Sequence, residues 1–351
     1  MLQPVLNFLS SAWPYALAIV AFLFLIVIHE FGHFIAAKLL GVRVNEFSVG
    51  FGPKLFRKKG KETEYSLRLV PLGGFCAMEG EDEESTDDRA FCKKAAWKRF
   101  LIVIMGATFN ILFGVILVAV TLIPGDKFAT TTVAKFSDTA TSNAEGGLMV
   151  GDTIIEIEGR NIYTTYDMSY NFSAVEDGNL NITVMREGKR VNLKEVPFAT
   201  EKYEGYNMIS LDFWVYGQEK TVGNFISQTG KMSLSYGRIV VFSLVDMIRG
   251  RYHISDISGP VGVTDAIGQA AKSSAMDLIA MMALITINLG IMNLLPIPAL
   301  DGGRLVFILI EMIFRRPVPQ RYEKWVHAIG LMVLLAFMAL ITFKDIWTLI
   351  F

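Results

Sequence analysis

Cysteine and histidine are both scarce: the 351-residue chain has two cysteines and four histidines. Cys76 and Cys92 share one polar stretch, with neither the paired spacing of a zinc ribbon nor the density of a disulfide scaffold, so both read as free thiols. Charge is thin as well. Asp, Glu, Lys and Arg make up 19% of the chain and the net charge is −1, which leaves no basic field of the kind nucleic-acid binding requires. Residues 1–13 contain no Lys or Arg. The apolar run that follows therefore lacks the basic start of a signal peptide, and with no clear small-residue cleavage site it is expected to stay in the mature protein.

Apolar residues are abundant, at 52% of the sequence, and the mean hydropathy is +0.41. Such a chain reads as a polytopic membrane protein with room for one small domain. Four runs approach the length that crosses a bilayer: about Tyr15 to Leu40, Phe100 to Ile123, Met276 to Leu295 and Val326 to Phe343. Lys and Arg cluster in the Gly41–Arg99 loop and in the loop after the third run, from Arg304 to Lys324. The positive-inside rule makes both loops cytoplasmic, and with four spans both termini and the long insert between spans two and three are expected outside. The acidic run Glu79 to Glu84 reads as a solvated loop, since its spacing matches no calcium loop.

Within the first run stands His29-Glu30-Phe31-Gly32-His33. Histidines four apart leave the same face of a helix and can share one zinc, with Glu30 beside them to act on zinc-bound water, which is the layout of a metalloprotease. A plain polar cluster joining helices is the bland alternative. Against it, an ionisable group at the bilayer centre costs about 2.5 to 3.5 kcal/mol, and this segment holds three titratable groups in five residues.

A catalytic zinc needs a third protein ligand. His253 falls in the external region and His327 opens the fourth span, so neither is well placed, and an acid is the better candidate. Asp301 follows the third span in Asn293-Leu-Leu-Pro-Ile-Pro-Ala-Leu-Asp301-Gly-Gly303, where two prolines must interrupt the helix. Capping a helix that begins near Gly302 is its alternative role.

Three further stretches carry structure. Segments Val44–Val49 and Glu64–Val70 read as strands separated and ended by Gly50-Phe-Gly-Pro53, Lys59-Gly-Lys61 and Pro71-Leu-Gly-Gly74. This membrane-associated hairpin or sheet either pairs with an extended substrate or only plugs the site. Gly106, Asn110 and Gly114 line one face of the second span, which favours close helix packing; Asn110 can hydrogen-bond across the interface or touch substrate, and packing is its preferred role. From about Phe128 to Val196 runs a polar β/α insert, followed by an amphipathic stretch, Phe225 to Arg249, expected to lie at the outer interface.

Gly147-Leu-Met-Val-Gly-Asp-Thr-Ile-Ile-Glu-Ile-Glu-Gly-Arg-Asn-Ile162 resembles the "GL..GD.I..I.G..I" stretch of PDZ domains. Together, the His-Glu-Phe-Gly-His span, this insert and the Asn-x-x-Pro-x-Pro-x-Leu-Asp-Gly motif resemble the site-2 protease family, in its bacterial PDZ-containing branch, over nearly the whole chain. The resemblance implies zinc held by His29, His33 and Asp301, Glu30 as general base, and Asn288 and Asn293 holding the substrate backbone. Ser258-Gly-Pro-Val-Gly262 also resembles a family segment. The insert is sized for one PDZ domain where some relatives carry two.

The expected architecture is therefore a four-helix polytopic membrane protein with a membrane-associated hairpin and one extracytoplasmic PDZ-like α+β domain. Residues 1–124 form the first part of the membrane core, 125–200 the PDZ-like domain, 201–275 a linker with the interfacial helix, and 276–351 the rest of the core. The expected activity is zinc-dependent cleavage of single-span proteins, such as trimmed anti-sigma factors, or of remnant signal peptides, in the bacterial cytoplasmic (inner) membrane. The insert then either binds peptide ends or acts as a size filter. A metal transporter and a silent PDZ scaffold are the rival classes.

Overall fold

The computed structural model describes residues 2–81, 83–173, 178–203, 206–250 and 258–350; His253 lies outside them. The chain divides into two units, Met1–Leu117 together with Tyr252–Phe351, and Val118–Arg251.

The first unit opens with α1 (Leu2–Leu39), β1 (Val44–Lys59), β2 (Glu64–Met78) and α2 (Ala96–Thr121). β1 and β2 are much longer than the short strands expected, because the glycines that were read as breaks bend the strands without ending them. Gly50 and Gly52 sit at φ +85° and +83°, a region open mainly to glycine. The two antiparallel strands fold back, so that Ser48 faces Phe75 on one side and Ser66 on the other, while Lys54–Lys59 continue the pairing along Glu64–Arg68. The inner end of this sheet is packed against the helices: Val44, Cys76 and Met78 are buried with Ala36 and Ala37 of α1 and Ile102 of α2.

The second unit holds β3 (Lys127–Phe136), β4 (Thr153–Ile157), β5 (Arg160–Asn161), α3 (Thr165–Ser173), β6 (Asn179–Arg186), β7 (Lys189–Pro197), β8 (Thr200–Tyr203), β9 (Tyr206–Ile209), β10 (Phe213–Glu219) and α4 (Val222–Ile248). Its main sheet runs β10-β3-β4-β6-β7, with β5 paired to β4. β10, beyond residue 200, pairs antiparallel along β3. Phe213 carries that strand into the core, with its ring 6.4 Å from Phe136 and 6.3 Å from Phe172.

The stretch expected as a linker and interfacial helix carries α4. The helix forms, but one of its faces belongs to the sheet domain. Ser235 donates to Asp167 at 2.6 Å, Arg238 donates to the Asn161 carbonyl at 2.9 Å, and Arg160 pairs with the fully buried Asp246. Its other face leaves Val222, Ile226, Leu234 and Ile248 exposed.

The first unit resumes with α5 (Pro260–Ser273), α6 (Ala275–Leu294), α7 (Asp301–Phe314) and α8 (Gln320–Ile350). Four stretches are long and apolar enough to cross a membrane: Trp13–Leu39, Ala96–Thr121, Ala275–Leu294 and Arg321–Trp347. All four expected runs therefore appear as helices. α2 starts four residues before its apolar run, in a segment where Ala96, Lys98 and Arg99 are good helix formers. α5 was not expected. It begins in the Ser258–Gly262 segment, where the Asp345 carboxylate of α8 accepts from the Gly259 and Gly262 amides at 2.9 and 3.0 Å.

Candidate metal centre

The helical repeat puts His29 and His33 on one face of α1, and that face meets α2 where a side chain is missing. A Cβ on Gly106 would overlap the His33 imidazole and lie 2.9 Å from Cε1 of His29. On α1, Gly32 does the same service toward the Met105 carbonyl, where a Cβ would collide. The two backbones therefore approach closely, as small residues permit between membrane helices.

Asp301 arrives from the other side. α6 stops at Leu294, and Pro296 and Pro298 prevent the helix from continuing. The chain crosses over at Ala299, at φ +76°, and Asp301 opens α7. Leu300, not Asp301, is the N-cap residue, and no side chain caps the helix, so the capping role is not the one its carboxylate plays. Its Oδ2 lies 3.1 Å from Nε2 of His29 and 3.1 Å from Nε2 of His33. The two Nε2 atoms are 3.2 Å apart.

Three donor atoms thus form a near-equilateral triangle. Two ligands of a tetrahedral zinc with bonds of about 2.0 to 2.1 Å are separated by roughly 3.3 Å, so the triangle has the edge length one zinc ion requires. Its chemistry fits too: two imidazoles and one carboxylate leave a fourth position open, and Asp301 Oδ2 is buried without a hydrogen bond. Among the described residues this is the one group of three or more His, Cys, Asp or Glu side chains close enough to hold a metal. Both histidines are nearly buried, at 7% and 8% exposure.

The ring nitrogens facing away are also occupied. His33 Nδ1 donates to the Ile102 carbonyl of α2 at 2.9 Å, leaving its Nε2 bare for a metal. His29 Nδ1 is met by the side-chain amides of Asn110 at 3.3 Å and Asn293 at 3.5 Å. Asn110, expected to pack, is thus a neighbour of the site. Its spacing from Gly106 marked the face, but nothing in the sequence showed which helix that face meets.

Glu30 is half-buried on the adjacent face of α1. β2 passes beside it: a Cβ on Gly74 would lie 3.6 Å from Glu30 Cγ. Cys76, two residues along, has its thiol pushed up by burial, and it is a free cysteine, as expected. Asn288 is not brought to the centre; it is exposed on α6. His327 is not a member of the triangle either, but it accepts from the Ala299 amide at 3.1 Å and so secures the turn before Asp301. A separate cavity of about 310 Å³, lined by Arg304, Glu81, Arg99, Glu311 and His327, includes none of the three ligands in its wall.

Two histidines a helical turn apart and a glutamate beside them on a membrane-length helix, with a carboxylate closing from the start of the shorter α7, define the class of intramembrane zinc peptidases. Comparison with known proteins takes this to a family: residues 17–337 match the model of peptidase family M50, and the chain belongs to that family, the site-2 proteases. A protein of Clostridium acetobutylicum named as a zinc metalloprotease is 36% identical over 338 residues, covering 96% of this chain and 98% of its own. Zinc metalloprotease RasP of Bacillus licheniformis is 30% identical, covering 92% and 96%. The regulator of sigma-W protease RasP of Bacillus subtilis is 28% identical, covering 93% and 97%. The protein is a multi-pass membrane metalloprotease and its cofactor is zinc. Neither the transporter nor the scaffold reading is favoured by these relatives.

Proposed function

We propose that the protein cleaves single-span membrane proteins, of the trimmed anti-sigma-factor kind, or remnant signal peptides, within or near the cytoplasmic half of their membrane segment. His29, His33 and Asp301 hold the zinc, and the observation that carries this is the triangle of their donor atoms at 3.1, 3.1 and 3.2 Å. Zinc bound there supplies Lewis-acid polarisation of the scissile carbonyl and acidifies a water. Glu30 takes the proton of the attacking water and returns it to the departing amine nitrogen as the peptide bond breaks. The near-burial of both imidazoles keeps bulk water from competing at the centre.

A helical substrate hides its carbonyls in internal hydrogen bonds and must unwind to be cut. The segment around Gly74, running past Glu30, offers backbone partners for the unwound stretch, and this supports the substrate-pairing role of the sheet over the plug. Asn293, half-buried at the end of α6, is placed to hold the substrate backbone next to His29. Asn288 fills that role further up the same helix, where its exposure leaves it open to an incoming chain.

The sheet unit is taken as the PDZ-like domain. Its antiparallel strands, the β4–β5 hairpin built from the Gly147–Ile162 stretch and the short α3 support this reading. It is placed outside the bacterial cytoplasmic membrane with both termini, the catalytic centre lying toward the cytoplasmic side, on the distribution of Lys and Arg among the loops. The relative named regulator of sigma-W protease RasP supports anti-sigma-like substrates.

The test is cleavage of a co-expressed single-span reporter by wild type and Glu30→Gln, with zinc measured on both purified proteins. Glu30→Gln is expected to retain zinc and yield no fragment. Fragment production by Glu30→Gln at the wild-type rate would overturn the role of Glu30.

A further inference from the structure

Asn110 is fully buried, in the middle of α2. Its backbone carbonyl accepts from the Thr286 hydroxyl of α6 at 3.1 Å, which pins this turn of α2 against α6. Its side-chain amide nitrogen lies 3.3 Å from His29 Nδ1, while its Oδ1 is buried with no hydrogen-bond partner. That pairing has a chemical consequence for the histidine. If His29 Nε2 faces a metal, it must be bare, and the ring proton then sits on Nδ1 as a donor. A donor needs an acceptor, and the unpartnered acceptor beside it is Asn110 Oδ1. The two ends of an amide are alike in shape, and a half-turn of the side chain exchanges them.

We infer that Asn110 is a positioning residue for His29, its side-chain carbonyl accepting the Nδ1 proton and so fixing the tautomer and ring plane that present Nε2 to zinc. The inference rests on the reading of His29, His33 and Asp301 as the zinc ligands. Asn110 completes on one histidine what the Ile102 carbonyl does on the other at 2.9 Å. Asn293, at 3.5 Å and half-buried, is the more distant of the two amides and stays open to the substrate side. Complete burial excludes Asn110 from touching substrate, so its effect reaches the reaction only through His29.

The experiment compares zinc dissociation constants of full-length purified protein by chelator competition, for wild type, Asn110→Leu, Asn110→Asp and His33→Ala. Loss of the acceptor in Asn110→Leu is expected to weaken zinc binding about 10- to 100-fold, the usual effect of removing an outer partner of a metal-bound histidine. Asn110→Asp keeps an acceptor and is expected to hold zinc as wild type does, since a carboxylate on the far nitrogen also raises ligand basicity.

A residue that only fills space between helices demands the opposite order, because Leu preserves volume while a buried carboxylate is costly. Zinc affinity in Asn110→Leu equal to wild type, with zinc lost from His33→Ala, would overturn the inference and leave the ligand reading intact. Zinc retained by His33→Ala would overturn the ligand reading itself. If Asn110→Leu does not fold, Asn110→Ala replaces it, and the same ordering against Asn110→Asp decides.

Discussion

Gly106 on α2 touches the imidazole of His33 on α1 so closely that any side chain there would occupy the place of the ring. Between membrane helices there is no hydrophobic driving force to hold them together, since lipid is as apolar as leucine, and close van der Waals approach does that work. The same contact therefore serves two ends, joining α1 to α2 and setting the ring of His33 where its Nε2 meets Asp301 at 3.1 Å.

Gly106→Ala should accordingly damage the metal centre more than the fold. The added methyl must displace His33, and zinc affinity of the purified protein is expected to fall at least tenfold, in the range seen when support of a metal-bound histidine is lost. Membrane insertion and yield should stay near wild type. Full zinc occupancy in this variant at limiting metal would show that α2 gives way without moving the histidine.

Much of this centre was legible from local signals. The four-residue histidine spacing, the prolines ahead of Asp301 and the length of the apolar runs each carry their meaning within a few residues. Elements held by distant partners were not legible. α5 depends on Asp345, 86 residues beyond Gly259, and β10 on β3, some eighty residues before it, so neither shows in its own segment. Gly50 and Gly52 looked like strand ends because glycine both ends and bends strands; which it does is decided by whether a partner such as Leu67 or Gly74 continues the pairing. Asn110 looked like packing for the same reason, since its neighbour His29 lies 81 residues away.

Glu62 ties the end of α1 to the following loop by pairing with Lys38 at 2.6 Å and Arg89 at 2.8 Å. These bonds hold its carboxyl down to about 2, from an ordinary 4.5. A carboxyl whose value is lowered on folding stabilises the fold fully above about pH 4.5 and loses that contribution as the pH falls toward about 2. Glu62→Gln lacks the group, so its thermal midpoint should fall less steeply than wild type across that window. Parallel curves for the two proteins, measured by circular dichroism in detergent, would contradict this coupling.

In the sheet domain, Asp246 is fully buried and pairs with Arg160, whose guanidinium also stacks 4.8 Å from the Phe242 ring. Tyr170 donates to the same carboxylate at 3.1 Å. Asp246→Ala removes the charge that Arg160 was buried to meet, at a cost on the order of 3 kcal/mol. Protease sensitivity of α4 should rise sharply in this variant while zinc content remains that of wild type. Unchanged digestion would mean that Arg160 finds water or another acceptor as good.

The turn before Asp301 has its own prop. Ala299 occupies the left-handed region at φ +76°, which costs a non-glycine residue about 1 to 2 kcal/mol, so the surrounding structure must hold it there. His327 Nδ1 does so by accepting the Ala299 amide at 3.1 Å, and Gly303 is packed under the same turn, where a Cβ would lie 2.6 Å from the Ile297 carbonyl. His327→Leu keeps a side chain of similar bulk beside the Phe307 ring but removes the acceptor. Asp301 then loses a fixed approach to the histidines, and a displacement of even about 1 Å at a reacting centre costs on the order of a hundredfold in rate. His327→Gln can restore an acceptor and should recover most of the activity. A His327→Leu protein that cleaves the reporter at the wild-type rate would show that the prolines and α7 alone hold Asp301 in place.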